Sequence, residues 1–227
     1  MFFWAIMPAA GRGDRMGQER PKQYLRLKGR PVIEWAAAPL LARRECQRLV
    51  IAIAENDREF AGLDLSQDAR VQRVIGGRER SDSVRAGLRA LAGKARETDW
   101  VLVHDAARPC VSAGELDALL TELRDDTVGG LLARPVVDTL KRSDGDRVQT
   151  TVPRANLWRA LTPQMFRYGL LCDAFAKCGS EPITDEAQAI ETLGLQPRLI
   201  VGSEENLKIT YPEDLIRAER ILNAEAT

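Results

Sequence analysis

The chain has 227 residues, enough for one large domain and too few for two full catalytic ones. With 44% hydrophobic and 29% charged residues it can bury a core, which excludes a disordered or low-complexity chain. Thirty-three Lys and Arg balance 33 Asp and Glu, so no global positive field would hold it on nucleic acid or an anionic membrane, and any anion site must be local. Four cysteines without CxxC spacing and one histidine leave no zinc-binding set and fit the reduced thiols of a cytoplasmic protein. The apolar start, residues 2–10, is too short to span a bilayer and lacks the basic beginning of a signal peptide.

In chain order, FFWAIM (2–7) predicts a first strand, and helical spacing follows from Val32 to Ala42. RLVIAIA (48–54) and VQRVI (71–75) predict two more strands before a helix carrying Val84, Leu88 and Leu91. WVLVH (100–104) precedes a helix with Leu116, Leu119, Leu120 and Leu123, begun by a Ser112/Glu115 capping box, and GLLARPV (130–136) follows. These apolar runs are continuous rather than alternating, as in strands buried on both faces. Residues 136–154 break the rhythm with two strand-like runs around Ser143-Asp144-Gly145-Asp146, a hairpin signal. The hairpin's Val136, Val137, Leu140, Val148 and Val152 are too few for a core, so it packs on its own domain or on a second subunit. Then come a helix over Tyr168–Cys178, another begun by Thr184 and stopped before Gly194, and the strand RLIV (198–201). A last helix has Pro212 near its first turn, with Leu215, Ile216 and Leu222 inward. Strand and helix in alternation predict an α/β fold: a mainly parallel sheet with helices on both faces and an inserted β-hairpin arm.

Three strand-to-helix turns carry candidate chemistry. After the first strand, PAAGRGDRMGQERPKQYL (8–25) combines Gly11, Gly13 and Gly17, whose open backbone can approach phosphate oxygens, with Arg12, Arg15, Arg20 and Lys22. The glycines run GxGxxxG, so this is neither a Walker A loop nor a Rossmann GxGxxG; a polyphosphate with about three to four charges is the natural counter-ion. In VHDAARP (103–109), Asp105 leaves the carboxyl end of a buried strand and can hold Mg²⁺, hold a substrate hydroxyl, or merely cap a turn. His104 alternates away from it and reads as structural. In GGRERSDSV (76–84), Gly76 and Gly77 allow a close approach and Ser81, Asp82 or Ser83 can cap the helix. With no GxSxG, no HExxH and no second histidine, triad hydrolysis and zinc peptidase chemistry are poorly supported. Transfer of a nucleotidyl group fits better, because a phosphate monoester with a second pKa of about 6 is already a nucleophile at neutral pH and the protein need only position and neutralise charge.

PAAGRGDRMG, PKQYLRLKGRPVIEWA, GGRERSDSV, VHDAARP, PVVDTLKR, TVPRANLWRALTPQMF, ITDEAQAIE and GSEENLKITYPEDL, in that order, resemble the 2-C-methyl-D-erythritol 4-phosphate cytidylyltransferase family of the non-mevalonate isoprenoid pathway, over about residues 5–220. The resemblance implies one Rossmann-like nucleotidyltransferase domain over 1–227, of the nucleotide-diphospho-sugar transferase type, with a hairpin dimerisation arm at about 136–154. It implies attack by methylerythritol phosphate on the α-phosphorus of CTP, with Mg²⁺ as cofactor and pyrophosphate released. Ala9, Ala10, Gly11 and Gly13 would then wrap CTP, Arg15 and Lys22 would neutralise the transferring and leaving phosphates, and Lys208 would touch the α-phosphate. Base and ribose contacts would come from the Gly76–Gly77 turn and Ser83, and substrate or metal contact from Asp105. Thr139 and Arg154 would reach the methylerythritol phosphate of a neighbouring subunit in a homodimer, with Thr162 and Thr184 nearby. The sequence departs from the family pattern at Arg78, where an acidic residue is usual, so base contact there falls to the glycine backbone. A ribitol 5-phosphate cytidylyltransferase would share the loop and the reaction, and only the acceptor pocket separates the two.

Overall fold

A computed structural model of the chain describes residues 1–11, 20–179, 181 and 183–224. Seven strands form one sheet: β1 (Phe3–Pro8), β4 (Cys46–Ile53), β5 (Val71–Ile75), β6 (Trp100–Val103), β7 (Gly129–Pro135), β10 (Trp158–Arg167) and β11 (Arg198–Val201), in the order β11-β7-β10-β6-β1-β4-β5. All run parallel except β10, which is antiparallel to both neighbours. Two residue pairs, β2 (Arg26–Leu27) and β3 (Arg30–Pro31), make a small separate ladder, and the arm forms a third sheet from β8 (Leu140–Asp144) and β9 (Arg147–Val152).

Alternation along the central strands builds two cores. Phe3, Ala5 and Met7 of β1 face α1 (Val32–Leu41) and α3 (Ala113–Glu122), whereas Ile6 faces the layer of α2 (Arg80–Leu91), α4 (Tyr168–Cys178) and α5 (Glu186–Glu191). This is the period-two side-chain alternation of a strand covered on both faces. A smaller cluster seats α6 (Pro212–Ala224) through Ala218 and Leu222 on Leu25, Leu27 and Val32. Among the described residues no helix is long and apolar enough to cross a membrane.

Several expectations need correction. β10 is not among the strands read from the sequence; WRALTPQMFR contains Pro163, which cannot donate to a ladder, and the pairing with β7 is irregular between Ala160 and Gln164. VQRVI and RLIV are strands but not buried on both faces, since they occupy the two sheet edges, where Ile75 is 46% and Val201 59% exposed. Ile216 points outward at 57% exposure, one residue off the stripe formed by Leu215, Ala218 and Leu222. The Ser112/Glu115 capping box is present, but α2 is capped by Glu79 with Asp82 reciprocating, and α5 by Asp185 rather than Thr184. In the arm the hairpin forms where Asp144-Gly145 signals it, but Asp144 pairs with Arg147 and the connecting residues are Gly145 and Asp146, with Gly145 in the first position at φ +58, as a Gly-first hairpin turn requires.

Candidate active site

From β1 the chain steps outward through β4 to β5 and then returns to place β6 on the other side of β1. Crevices open at such reversals, at the carboxyl ends of the strands. Here the crevice is lined by Pro8, Ala9, Ala10 and Gly11 after β1, Lys22 and Gln23, Arg78 to Arg80 and Ser83 at the start of α2, Asp105 to Ala107 after β6, and Lys208.

Buried hydrogen bonds hold the β1 loop and its lysine in place. Gln23, 5% exposed, donates from Nε2 to the carbonyls of Ala9 at 2.7 Å and Gly11 at 3.3 Å. Beside it Tyr24, fully buried, donates to Asp57 Oδ2 at 2.6 Å, and burial together with Asp57 raises its phenol pKa. Lys22, on the same short 3-10 turn, is thereby carried to the crevice, where Nζ donates to the Ile209 carbonyl at 2.9 Å. Ile209 in turn donates its N–H to Ala107 at 2.8 Å, so the segment carrying Lys208 is tied to both other walls.

Asp105 sits at the centre of the charges. Its Oδ1 lies 2.9 Å from Arg80 Nε, and its Oδ2 lies 2.8 Å from Lys208 Nζ and 3.6 Å from Arg108 Nε. Burial alone would raise its carboxyl pKa, but Arg80, Lys208 and Arg108 hold it well below the usual carboxylate range. Arg80 also forks onto Glu186, with Nη1 to Oε1 at 2.6 Å and Nη2 to Oε2 at 3.0 Å. Behind Asp105, Thr162 Oγ1 accepts the Asp105 N–H at 3.0 Å and lies 3.0 Å from His104 Nδ1. The Arg108 carbonyl can only accept, so His104 Nε2–H donates to it at 3.1 Å, and Nδ1 of the neutral ring is left to accept the Thr162 hydroxyl proton. Burial pushes His104 down to about 4, so the ring is neutral, as this tautomer requires. His104 is structural, as its alternation predicts.

Of the expected site residues, Ala9, Ala10, Gly11, Lys22, Ser83, Asp105 and Lys208 line this one crevice, and Thr162 supports it from below. Gly13 and Arg15 lie outside the described residues. Gly76 and Gly77 do not line it: a Cβ on Gly76 would stand 2.5 Å from Ser83 Oγ, and one on Gly77 2.3 Å from Asp82 Cβ, so both glycines admit the chain's own first helical turn. Thr139, Arg154 and Thr184 are exposed and do not line this crevice. Arg20 is turned away onto Glu59 at 2.6 Å. Sequence reasoning missed Arg80, Glu186, Gln23 and Arg108. Each lies within a quoted motif, but partners up to 106 residues away in sequence give no local signal.

Mg²⁺ is a poor fit as a resident ion at Asp105. Both carboxylate oxygens are committed to cationic side chains, and among the described residues no group of three His, Cys, Asp or Glu gathers.

A Rossmann-like α/β sheet with a cationic crevice at its strand ends defines the class: a nucleotidyltransferase. Residues 3–224 match the family model of 2-C-methyl-D-erythritol 4-phosphate cytidylyltransferase, and the chain belongs to this family. It is 53% identical over 224 residues to the enzyme of that name from Dechloromonas aromatica, covering 97% of each chain. The counterpart from Pseudomonas aeruginosa is 52% identical over 222 residues, covering 96% of this chain and 95% of that protein. Among solved structures, a 4-diphosphocytidyl-2C-methyl-D-erythritol synthase superposes with TM-score 0.86 at 37% identity, covering 97% of this chain and 98% of the other. The Francisella tularensis 2-C-methyl-D-erythritol 4-phosphate cytidylyltransferase gives TM-score 0.84 at 32% identity, covering 97% of this chain and all of that one.

Proposed function

We propose that the chain joins CTP and 2-C-methyl-D-erythritol 4-phosphate into 4-diphosphocytidyl-2-C-methyl-D-erythritol, an isoprenoid precursor, releasing pyrophosphate. A phosphate oxygen of the acceptor forms a bond to the CTP α-phosphorus, and the bond to the bridging oxygen breaks, its electron pair leaving with pyrophosphate. The dianionic acceptor needs no general base, so positioning and neutralisation carry the reaction. The observation that supports this most is the meeting of Lys22, Arg80 and Lys208 at one crevice beside the β1 loop.

In this reading the loop from Ala9 through Gly13 wraps the triphosphate, and Arg15 and Lys22 meet charge on the transferring and leaving phosphates. Lys208 meets the α-phosphate, and Ser83 on the crevice wall takes base and ribose, with Gly76 and Gly77 letting the first turn of α2 close up behind it. Asp105 orients Lys208 and contacts the acceptor. Mg²⁺ arrives on the phosphate oxygens of CTP as part of the substrate. The arm reaches a second copy of the chain, where Thr139 and Arg154 complete the acceptor site next to Thr162 and Thr184. Pyrophosphate release from MgCTP with methylerythritol phosphate, run beside ribitol 5-phosphate, tests the reading. Equal or better turnover of ribitol 5-phosphate would overturn the acceptor.

A further inference from the structure

We propose that Glu186 is a positioning residue for the transfer: by occupying both terminal nitrogens of Arg80, it leaves Asp105 one Arg80 contact and keeps the second Asp105 oxygen for Lys208. This role rests on the function proposed above. A guanidinium next to a carboxylate tends toward a two-pronged fork. Arg80 makes that fork with Glu186, at 2.6 and 3.0 Å, and gives Asp105 only Nε, at 2.9 Å. Asp105 Oδ2 is therefore available to hold the Lys208 ammonium, at 2.8 Å, on the crevice wall.

Glu186 is fully buried at the start of α5, and among the described residues Arg80 is the only hydrogen-bond partner of its carboxylate. A buried carboxylate with one partner is costly, and an apolar side chain of similar size would usually serve stability as well. What an apolar side chain could not do is set how Arg80 divides its donors. Without the Glu186 fork, a freed Nη can turn onto Asp105 Oδ2, compete with Lys208 and release its ammonium from the α-phosphate position. Glu186 also follows Thr184 and Asp185, so the chain Glu186–Arg80–Asp105–Lys208 joins the acceptor side of the site to the nucleotide side.

The test is a double-mutant cycle on the full chain. Glu186→Gln, which can accept from only one Nη, is expected to lower kcat about 10²-fold through misplacement of Lys208. CTP affinity by calorimetry should stay within about threefold, because the binding loop is untouched. In a Lys208→Gln background the same substitution should change kcat by less than about threefold, since the group it positions is already gone. A residue that merely stabilised the fold would give additive losses, and additive losses, or an unchanged kcat in Glu186→Gln, overturn the proposal. Thermal melts check that the variants are folded. Should Glu186→Gln not fold, Arg80→Lys, which cannot serve two carboxylates at once, must show the same dependence on Lys208 or the proposal falls. Wild-type chain that releases no pyrophosphate would overturn the function and this role together; an active wild type with additive variants overturns this role alone.

Discussion

The crevice and the hairpin arm are built on opposite principles. Lys22, Asp105 and Lys208 come from distant parts of the chain, and each is held by contacts that cross the fold: Lys22 to Ile209, Asp105 to Arg80 and Thr162, Lys208 to Asp105. The arm is local, two strands joined by Gly145 and Asp146, and its side chains are almost wholly solvated, with Val137 and Val148 each 65% exposed. Arg154 donates to the Val137 carbonyl and ties the two legs of the arm together at its base. The difference shows that turn chemistry suffices to shape a hairpin but not to cover it. Isolated two-stranded hairpins are marginal in water, and this one leaves Val137 and Val148 exposed and Val136, Leu140 and Val152 only half-buried. That gap is the physical argument for a second copy of the chain, since a two-fold interface buries the same patch on both subunits.

The sharpest break of this comparison is at the crevice. Lys22→Ala should lower kcat by about 10²–10³ with a smaller change in CTP affinity, the signature of a charge that meets the leaving pyrophosphate. A rise confined to the KM for CTP would reduce Lys22 to a binding residue. The second experiment joins the two regions. Mixing an Arg154→Ala chain with an Asp105→Ala chain, each nearly inactive, should restore activity if the arm completes its partner's site. About half of randomly exchanged dimers are mixed and each has one intact site, so recovery should approach roughly a quarter of wild type. No recovery after confirmed exchange would return Arg154 to its own subunit or to no site.

A smaller effect concerns the network beneath the crevice. His104 titrates near 4 in the folded chain, against an unfolded value of about 6.5. Between those values the unfolded state binds the extra proton, so stability falls as pH drops from about 6.5 toward 4 and His104 adds no further loss below that. The window corresponds to a loss on the order of 3 kcal/mol. Since the chain has one histidine, subtracting the pH-dependent melts of His104→Gln from those of wild type isolates it; parallel curves would refute the neutral buried ring. The smallest effect is in the arm. Gly145→Ala forces a Cβ into φ +58 and should cost about 1 kcal/mol locally. It should raise the KM for the acceptor while CTP affinity stays put, and a change in CTP affinity instead would show that the arm serves the nucleotide.

Much of this protein is determined by sequence alone. The order of strands and helices follows from apolar periodicity, the Ser112/Glu115 cap and the Gly145 turn from local hydrogen-bonding and backbone rules, and the basic β1 loop from charge density in a neutral chain. Such features are legible because each is decided within a few residues. Lys22, Asp105 and Lys208 were legible as candidates through their motifs, but their meeting was not. Tertiary structure alone decided that β10 runs antiparallel through the middle of the sheet despite Pro163, because pairing with β6 and β7 outweighs one missing donor. It also decided that Asp105 is surrounded by three cations rather than open to a metal ion, and that Arg80 is shared with the buried Glu186. Arg108 lies three residues after Asp105, but the other charges act on one another through space across 25 to 106 residues of chain, where a charge's partner is set by where the fold returns it rather than by its neighbours in sequence.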